Sequence, residues 1–182
     1  MTSGPFDIDD APQEIEYLDL GALKIPIVDD VQVQLSFDQS INRGVGVSIV
    51  LKNSIADIQL FARAKDEYLW PEFRTELTDA LTGQGIEQEV VMGTFGPEVR
   101  AVMPLTDPEG SNVLQSVRFV GIDGNRWFLR VAISGAAAVA ENEIDEMDHV
   151  ISQIVVDRGS DPMAPGELMT LDVPEVEELA EQ

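Results

Sequence analysis

The chain has 182 residues and carries 34 acidic against 11 basic side chains, a formal net charge of −23. A charge of this sign repels phosphate backbones, so the composition argues against direct binding of nucleic acid. Cysteine is absent, which excludes disulfides, thiolate metal sites and cysteine nucleophiles. Because 44% of the residues are hydrophobic, the chain has enough apolar material for a folded core.

Charge and turn composition divide the chain into three parts. We expect an acidic extended lead-in over residues 1–16, a single α+β domain over residues 17–158, and an acidic loop with a flexible C-terminal tail over residues 159–182. The amino terminus lacks the basic segment followed by an apolar segment that is typical of a secretory signal peptide. No run approaches the roughly 18 apolar residues of a membrane span. The sequence therefore predicts a cytoplasmic protein that does not bind a membrane.

The first part of the domain predicts strands. Residues 17–27 are typical of one or two short strands, and residues 31–37 alternate between apolar and polar side chains, the pattern of a half-buried strand. Two β-rich runs follow at residues 44–51 and 56–64. The short turn between them has a composition and length that predict an antiparallel hairpin.

A change of period after residue 65 predicts a helix. Apolar residues then recur at intervals of three and four, Pro71 suits the first helical turn, and Gly83 suits the position after the last. Four further strands are predicted, in two hairpins, at residues 86–92, 98–105, 113–121 and 127–134. A second amphipathic helix is predicted over residues 142–156.

This order of elements favours an α+β fold over alternating βαβ units. We expect a mainly antiparallel β-sheet of about six to seven strands, with two principal helices packed on it. The order resembles the Mog1/PsbP-like α/β/α sandwich, and the hairpin before Trp127-Phe-Leu-Arg130 is similar to one often seen there. A resemblance of topology implies a fold and carries no function with it.

A second resemblance covers nearly the whole chain and rests on several short motifs. They are Gly4-Pro-Phe-Asp, Leu18-Asp-Leu-Gly-Ala-Leu-Lys-Ile-Pro, Leu69-Trp, Gly96-Pro-Glu-Val-Arg, the run from Val117 to Arg130, and Val155-Val-Asp-Arg-Gly with Pro162-Met-Ala-Pro. Together they resemble a small actinobacterial family of unknown function. The resemblance implies a cytosolic protein with no assigned activity, cofactor or catalytic residue.

The sequence offers no recognisable catalytic motif and no designed metal site. His149 is the single histidine, so a catalytic triad or an imidazole-rich metal site would have to be built around it alone, and we interpret it as a packing or partly exposed residue. The acidic clusters at residues 7–10 and 29–30 lack the ligand spacing of a calcium loop. We therefore expect no catalytic residue, no metal and no cofactor.

Arginines on otherwise apolar strands are the best candidates for a binding site. With a neighbouring tryptophan they form a candidate patch: Arg63, Arg100, Arg118, Arg126, Arg130 and Trp127. In one interpretation each arginine lies along the sheet and pairs with a nearby carboxylate. In the other, some of them converge under the helices and bind an anion or a partner. Arg118 and Arg130 would share a face if the loop between their strands held three residues, and would face apart if it held two.

Three hypotheses on function follow. The leading one is a non-enzymatic cytosolic interaction or accessory protein with an unidentified protein partner. The alternative is a small-ligand or anion-binding protein that uses the sheet arginines, which requires a concave pocket. A third hypothesis is an acidic imitation of DNA that binds a basic protein. The sequence leaves enzymatic activity undecided, leaning against it, and does not give the oligomeric state.

Overall fold

The computed structural model describes residues 4–172, which form eleven strands and two principal helices. The first six strands precede helix α1 and are β1 (Phe6–Asp7), β2 (Tyr17–Asp19), β3 (Leu23–Pro26), β4 (Val31–Asp38), β5 (Arg43–Leu51) and β6 (Ser54–Ala62). The remaining elements are α1 (Trp70–Gly83), β7 (Gln88–Gly93), β8 (Gly96–Thr106), β9 (Asn112–Asp123), β10 (Trp127–Gly135), α2 (Glu141–Ser152) and β11 (Val155–Val156). In residues 4–172 no helix is both long and apolar enough to cross a membrane.

Seven strands form the main sheet, in the order β4-β5-β6-β10-β9-β8-β7. Every neighbouring pair in it is antiparallel. The predicted hairpins are all present, because their turns lie between strands whose apolar residues recur at every second position. The structure therefore confirms the predicted α+β fold with a mainly antiparallel sheet and two principal helices.

A second, smaller sheet joins the two ends of the domain, in the order β1-β11-β3-β2. It corrects two predictions. Phe6 of the predicted lead-in pairs with Val155, so the lead-in is partly built into the fold. The predicted second helix ends at Ser152, and Val155–Val156 form a fully buried strand against β3. Both residues are β-branched and fit a pleated surface, although Val155 also continues the apolar stripe of the helix.

The main sheet separates two apolar clusters. Leu129 and Leu60 pair across β10 and β6 and face α2, whose Met147 and Ile151 are fully buried in the larger cluster. The adjacent pair of residues across β10 and β6 is Phe128 and Phe61. It points to the opposite face of the sheet, where α1 packs on a smaller aromatic cluster. Neighbouring residues of a strand point to opposite faces, so the sheet is covered by one helix on each side.

The segment after residue 158 corrects a further prediction. Within the predicted acidic loop and flexible tail of residues 159–182, Met169 and Leu171 are buried, at 5% and 2% exposed. Strands β5 and β6 pair with each other only as far as Val47 and Ile58. Beyond that point the segment bonds to both of them, through Met169 N to the Leu60 carbonyl and a reciprocal pair between Leu171 and Gly44. The segment thus forms hydrogen bonds with backbone amides and carbonyls of β5 and β6 that would have no partner where these two strands separate. The remainder of the predicted tail, residues 173–182, lies outside the described residues.

This packing predicts a stability role for Leu171. We expect Leu171→Ala to lower the free energy of unfolding by about 2–5 kcal/mol, because the substitution leaves a cavity in the core. Leu114→Ala is the matched control, since Leu114 is 74% exposed, and it should change that free energy by less than about 0.5 kcal/mol. Urea unfolding measures both. Equal effects of the two substitutions would contradict the docking of this segment.

Candidate functional site

The six candidate residues do not form one patch. Arg100 and Arg118 are direct partners across β8 and β9 and face α2. Arg130 faces the other side, because the last pair of the β9–β10 hairpin joins Asp123 to Phe128 and leaves four residues between them. A loop of four residues, like the two-residue loop considered above, puts the side chains of Arg118 and Arg130 on opposite faces of the sheet, because both loops hold an even number of residues.

Arg63 and Arg126 hold a turn at the end of the main sheet. The buried Arg63 donates hydrogen bonds to four backbone carbonyls, those of Gly124, Ala64, Lys65 and Glu67. Arg126 has a positive φ of 65°, and its carbonyl accepts a bond from the Arg63 amide. The contacts of both arginines therefore stabilise the loops between strands.

The two tryptophans lie in different parts of the fold. Trp127 is 2% exposed and donates its indole N–H to Asp7 at 2.6 Å. Trp70 is 6% exposed and donates its indole N–H to the Pro97 carbonyl, also at 2.6 Å. Gly121 is required beneath Trp70, because a Cβ there would lie 2.1 Å from the indole ring.

Asp123 fixes the start of helix α1. Its two carboxylate oxygens accept bonds from the backbone amides of Leu69, at 2.9 Å, and Trp70, at 3.0 Å. The first amides of a helix have no partner inside the helix, so a carboxylate from β9 completes them. This contact and the Trp70 anchor place α1 over one half of its sheet face.

A groove with a volume of about 540 Å³ lies beside α1, on the part of this sheet face that the helix does not cover. Strands β5, β6 and β10 supply its floor, and α1 supplies one wall. The lining combines apolar and aromatic side chains with a few polar ones: Ser36, Val45, Gly46, Val47, Ser48, Asp57, Ile58, Gln59, Trp70, Phe73, Glu76, Leu77, Phe119, Arg130 and Ala132. Such a combination is typical of small-molecule sites.

Arg130 is the basic side chain in this lining. Its guanidinium lies 5.1 Å from the centroid of the Phe61 ring and donates a hydrogen bond to Gln59. No carboxylate of residues 4–172 lies within 4.0 Å of it. Partial burial against the groove lowers the pKa of Arg130. The groove therefore holds a cation that makes no ion pair within the described chain.

Two carboxylates also line the groove. Asp57 accepts a hydrogen bond of 2.5 Å from Ser48 on the neighbouring strand, and Glu76 lies on the exposed side of α1. Asp57 is opposite Ala132, two residues along β10 from Arg130, so it is a diagonal neighbour of the guanidinium.

Arg118 forms a buried ion network on the other face of the sheet. It is 0% exposed and donates to both oxygens of Glu98, at 2.6 and 3.0 Å. It also donates to Asp148 of α2 at 3.0 Å and to the Ala137 carbonyl at 3.1 Å. Arg100 adds a bond of 3.1 Å to Glu98. Since its hydrogen bonds are already made to protein groups, the guanidinium of Arg118 is not available to bind an anion.

The charges of this network stabilise one another. Burial alone raises the pKa of Glu98, but the hydrogen bonds and charge of Arg118, together with those of Arg100, hold it below its ordinary value. Burial likewise lowers the pKa of Arg118, and its bonds to Glu98 and Asp148 raise it above the ordinary value. Gly93 makes room for the carboxylate, because a Cβ there would lie 1.8 Å from Glu98 Oε1.

Sequence reasoning missed Glu98 and Asp148. The signal for Asp148 was its position on the apolar stripe of α2, four residues after Ile144 and three before Ile151. The signal for Glu98 was its place two residues before Arg100, on the same face of one strand. His149 is exposed on α2. Among residues 4–172 no three Asp, Glu or His side chains are placed to hold a metal ion.

Removing one member of the buried network should destabilise the fold. Glu98→Gln removes the carboxylate that accepts two bonds from Arg118 and leaves Asp148 as the counter-charge, so we expect the free energy of unfolding at pH 7 to fall by about 1.5–3 kcal/mol, the contribution of hydrogen bonds to a charged group. Lys52→Gln is the control, since Lys52 and Glu146 pair on the surface with side chains 50% and 45% exposed. That substitution should cost less than about 1 kcal/mol. Similar losses in chemical unfolding would contradict the network's role.

The lowered pKa of Glu98 also predicts a dependence on pH. A carboxyl group with a lower pKa in the folded state stabilises the protein above its unfolded pKa of about 4.3 and loses that contribution as the pH falls through the folded pKa. Unfolding measured from pH 7 down to pH 3 should therefore show a loss of stability below about pH 5. The Glu98→Gln variant should show a smaller slope there, and an unchanged slope would contradict the assignment.

Comparisons with known proteins place the chain in a family. A search of curated proteins gives no match. The solution structure of cyanobacterial PsbP (CyanoP) from Synechocystis sp. PCC 6803 is similar with a TM-score of 0.40 and 13% identity, over 78% of this chain and 92% of that one. A likeness at this level says nothing of function. The family model of proteins of unknown function DUF3710 matches residues 4–181, and the chain belongs to that family.

Proposed function

We propose that this protein binds a small organic molecule in the groove beside helix α1, with Arg130 as its polar anchor. The observation that carries the proposal is a concave, apolar-walled site whose guanidinium has no carboxylate within 4.0 Å among residues 4–172. Sites for small molecules combine an apolar lining with a few placed polar groups.

The other candidate arginines support this choice by their contacts. Arg118 and Arg63 are buried and bonded to protein groups, and Arg100 is paired with Glu98. Arg130 lies instead on the floor of a groove, where a ligand reaches it. An anionic group on the ligand would pair with Arg130 through charge-assisted hydrogen bonds.

An interaction role is the second candidate, favoured by the far end of the β8–β9 hairpin. Pairing with β7 ends at Ala101, and pairing with β10 begins at Val117, so the hairpin extends beyond its neighbours. Its exposed apolar residues there are Leu105 at 43%, Val113 at 40% and Leu114 at 74%. In affinity capture from native cytosol, a partner of this surface would be lost on Leu114→Glu. A partner retained by that variant would contradict this location.

The location in the cytoplasm, the absence of direct nucleic-acid binding and the imitation of DNA by the acidic surface stay predictions. DNA imitation requires acids spaced like phosphates along one rigid face. An assay in which this protein competes with DNA for a basic protein tests the imitation of DNA directly.

The two tryptophans provide a test of ligand binding within one spectrum. We expect 2-naphthoate to shift the indole N–H signal of Trp70, which lines the groove, and to leave that of Trp127 in place, because Trp127 packs elsewhere. Titration of the 15N-labelled full chain measures both signals. Lys65→Gln is the control for Arg130→Gln, because it removes the same charge from an exposed loop position outside the groove.

The two variants should differ clearly. Loss of a hydrogen bond to a charged group costs about 1.5–3 kcal/mol, so Arg130→Gln should weaken binding roughly 10- to 100-fold. Lys65→Gln should bind as the natural protein does. An unmoved Trp70 signal, or equal binding by both variants, would overturn the proposed site.

A further inference from the structure

We infer that the ligand of the groove is an apolar monocarboxylate and not a phosphate ester. This inference rests on the proposed function and names the chemistry of its ligand. Three separate observations carry it: the charges around the groove, the occupied amino terminus of α1, and the surroundings of the Arg130 guanidinium.

The charges of the lining favour a single negative charge on the ligand. Arg130 supplies one positive charge, while Asp57 and Glu76 supply two negative ones, so the lining has a formal charge of −1. A carboxylate brings one further negative charge and can pair directly with Arg130. A phosphate ester carries about −1.5 to −2 at pH 7 and would face two carboxylates with one guanidinium. The groove thus selects against the phosphate through repulsion.

The helix beside the groove offers no phosphate site. Helix amino termini commonly bind phosphate through their free backbone amides. In α1 the amides of Leu69 and Trp70 are already bonded to Asp123, whose carboxylate also places a negative charge at that end. A phosphate in the groove would therefore depend on Arg130 alone among basic groups of the lining.

The surroundings of Arg130 suit a carboxylate. The guanidinium carries five N–H donors in a planar fork, and Gln59 takes a bond from one end of it. The ring of Phe61 lies 5.1 Å from its central carbon. The remaining donors can pair side by side with the two oxygens of a carboxylate.

The walls suit an apolar body attached to that carboxylate. Phe73 and Leu77 of α1 and Phe119 of β9 line the groove, and Ala132 lies beside Arg130 along β10 on the same face of the sheet. A flat aromatic or short aliphatic body would bury apolar surface against these side chains, which is favourable in water.

The experiment compares three probes with one body: 2-naphthoate, 2-naphthyl phosphate and 2-naphthol. Each is titrated into the full chain at pH 7.5, and the Trp70 indole signal gives the dissociation constant. We expect 2-naphthoate to bind at least about tenfold more tightly than either of the others, the gain from a charge-assisted hydrogen bond. Arg130→Gln should remove the difference between naphthoate and naphthol, and Lys65→Gln should retain it.

A second variant tests the repulsion separately. Glu76→Gln removes an exposed carboxylate of the lining. It should strengthen binding of naphthyl phosphate by a larger factor than binding of naphthoate, because the phosphate carries more charge. If Glu76→Gln strengthened binding of the two probes by the same factor, the lining would not select between them by charge.

The possible failures are distinguishable. If naphthyl phosphate binds as tightly as naphthoate or more tightly, the ligand class is wrong while the groove remains a binding site. If naphthol binds as tightly as naphthoate, the role of a ligand carboxylate is wrong. If no probe moves the Trp70 signal, the proposed function fails together with the inference.

Discussion

The register of the β9–β10 hairpin is the constraint on which the chemistry of this protein depends. Asp123 opposite Phe128 puts Arg118 on one face of the main sheet and Arg130 on the other. On its face Arg118 meets Glu98 and a carboxylate from α2, and the charges are satisfied in the interior. On the opposite face Arg130 has no such partner among residues 4–172 and lies in a groove. A shift of the register by one residue would put both arginines on the same face of the sheet.

The helix beside the groove depends on a contact from the same hairpin. Asp123 completes the first amides of α1, and Gly121 leaves room for Trp70, so β9 determines where the wall of the groove stands. The same carboxylate occupies the helix end at which a phosphate would otherwise bind. One residue thus contributes both to the shape of the groove and to the proposed choice of ligand.

Much of the fold could be predicted from the sequence, because strands and helices have different apolar periods. The hairpins and α1 follow from local patterns, and Pro71 and Gly83 mark the ends of that helix. Val155 and Val156 could not be assigned in this way, since their pairing with β3 joins distant parts of the chain. Leu171 was missed for the same reason, because its partner Gly44 is far away in sequence.

The site was less predictable than the fold. The set of strand arginines was visible, but whether Arg118 and Arg130 share a face depended on the number of residues in the loop between their strands, which the sequence left open. Glu98 and Asp148 become partners of Arg118 only after three elements have packed together. The groove arises from the position of α1 over the sheet, and tertiary positions of this kind are not encoded in any local pattern.

A crystal structure of the full chain grown with 2-naphthoate tests the central claim most directly. The account predicts the naphthalene ring between α1 and the sheet, with its carboxylate within hydrogen-bond distance of the Arg130 guanidinium. Arg130 paired instead with a carboxylate of its own chain, or the ligand bound elsewhere with the groove empty, would contradict it.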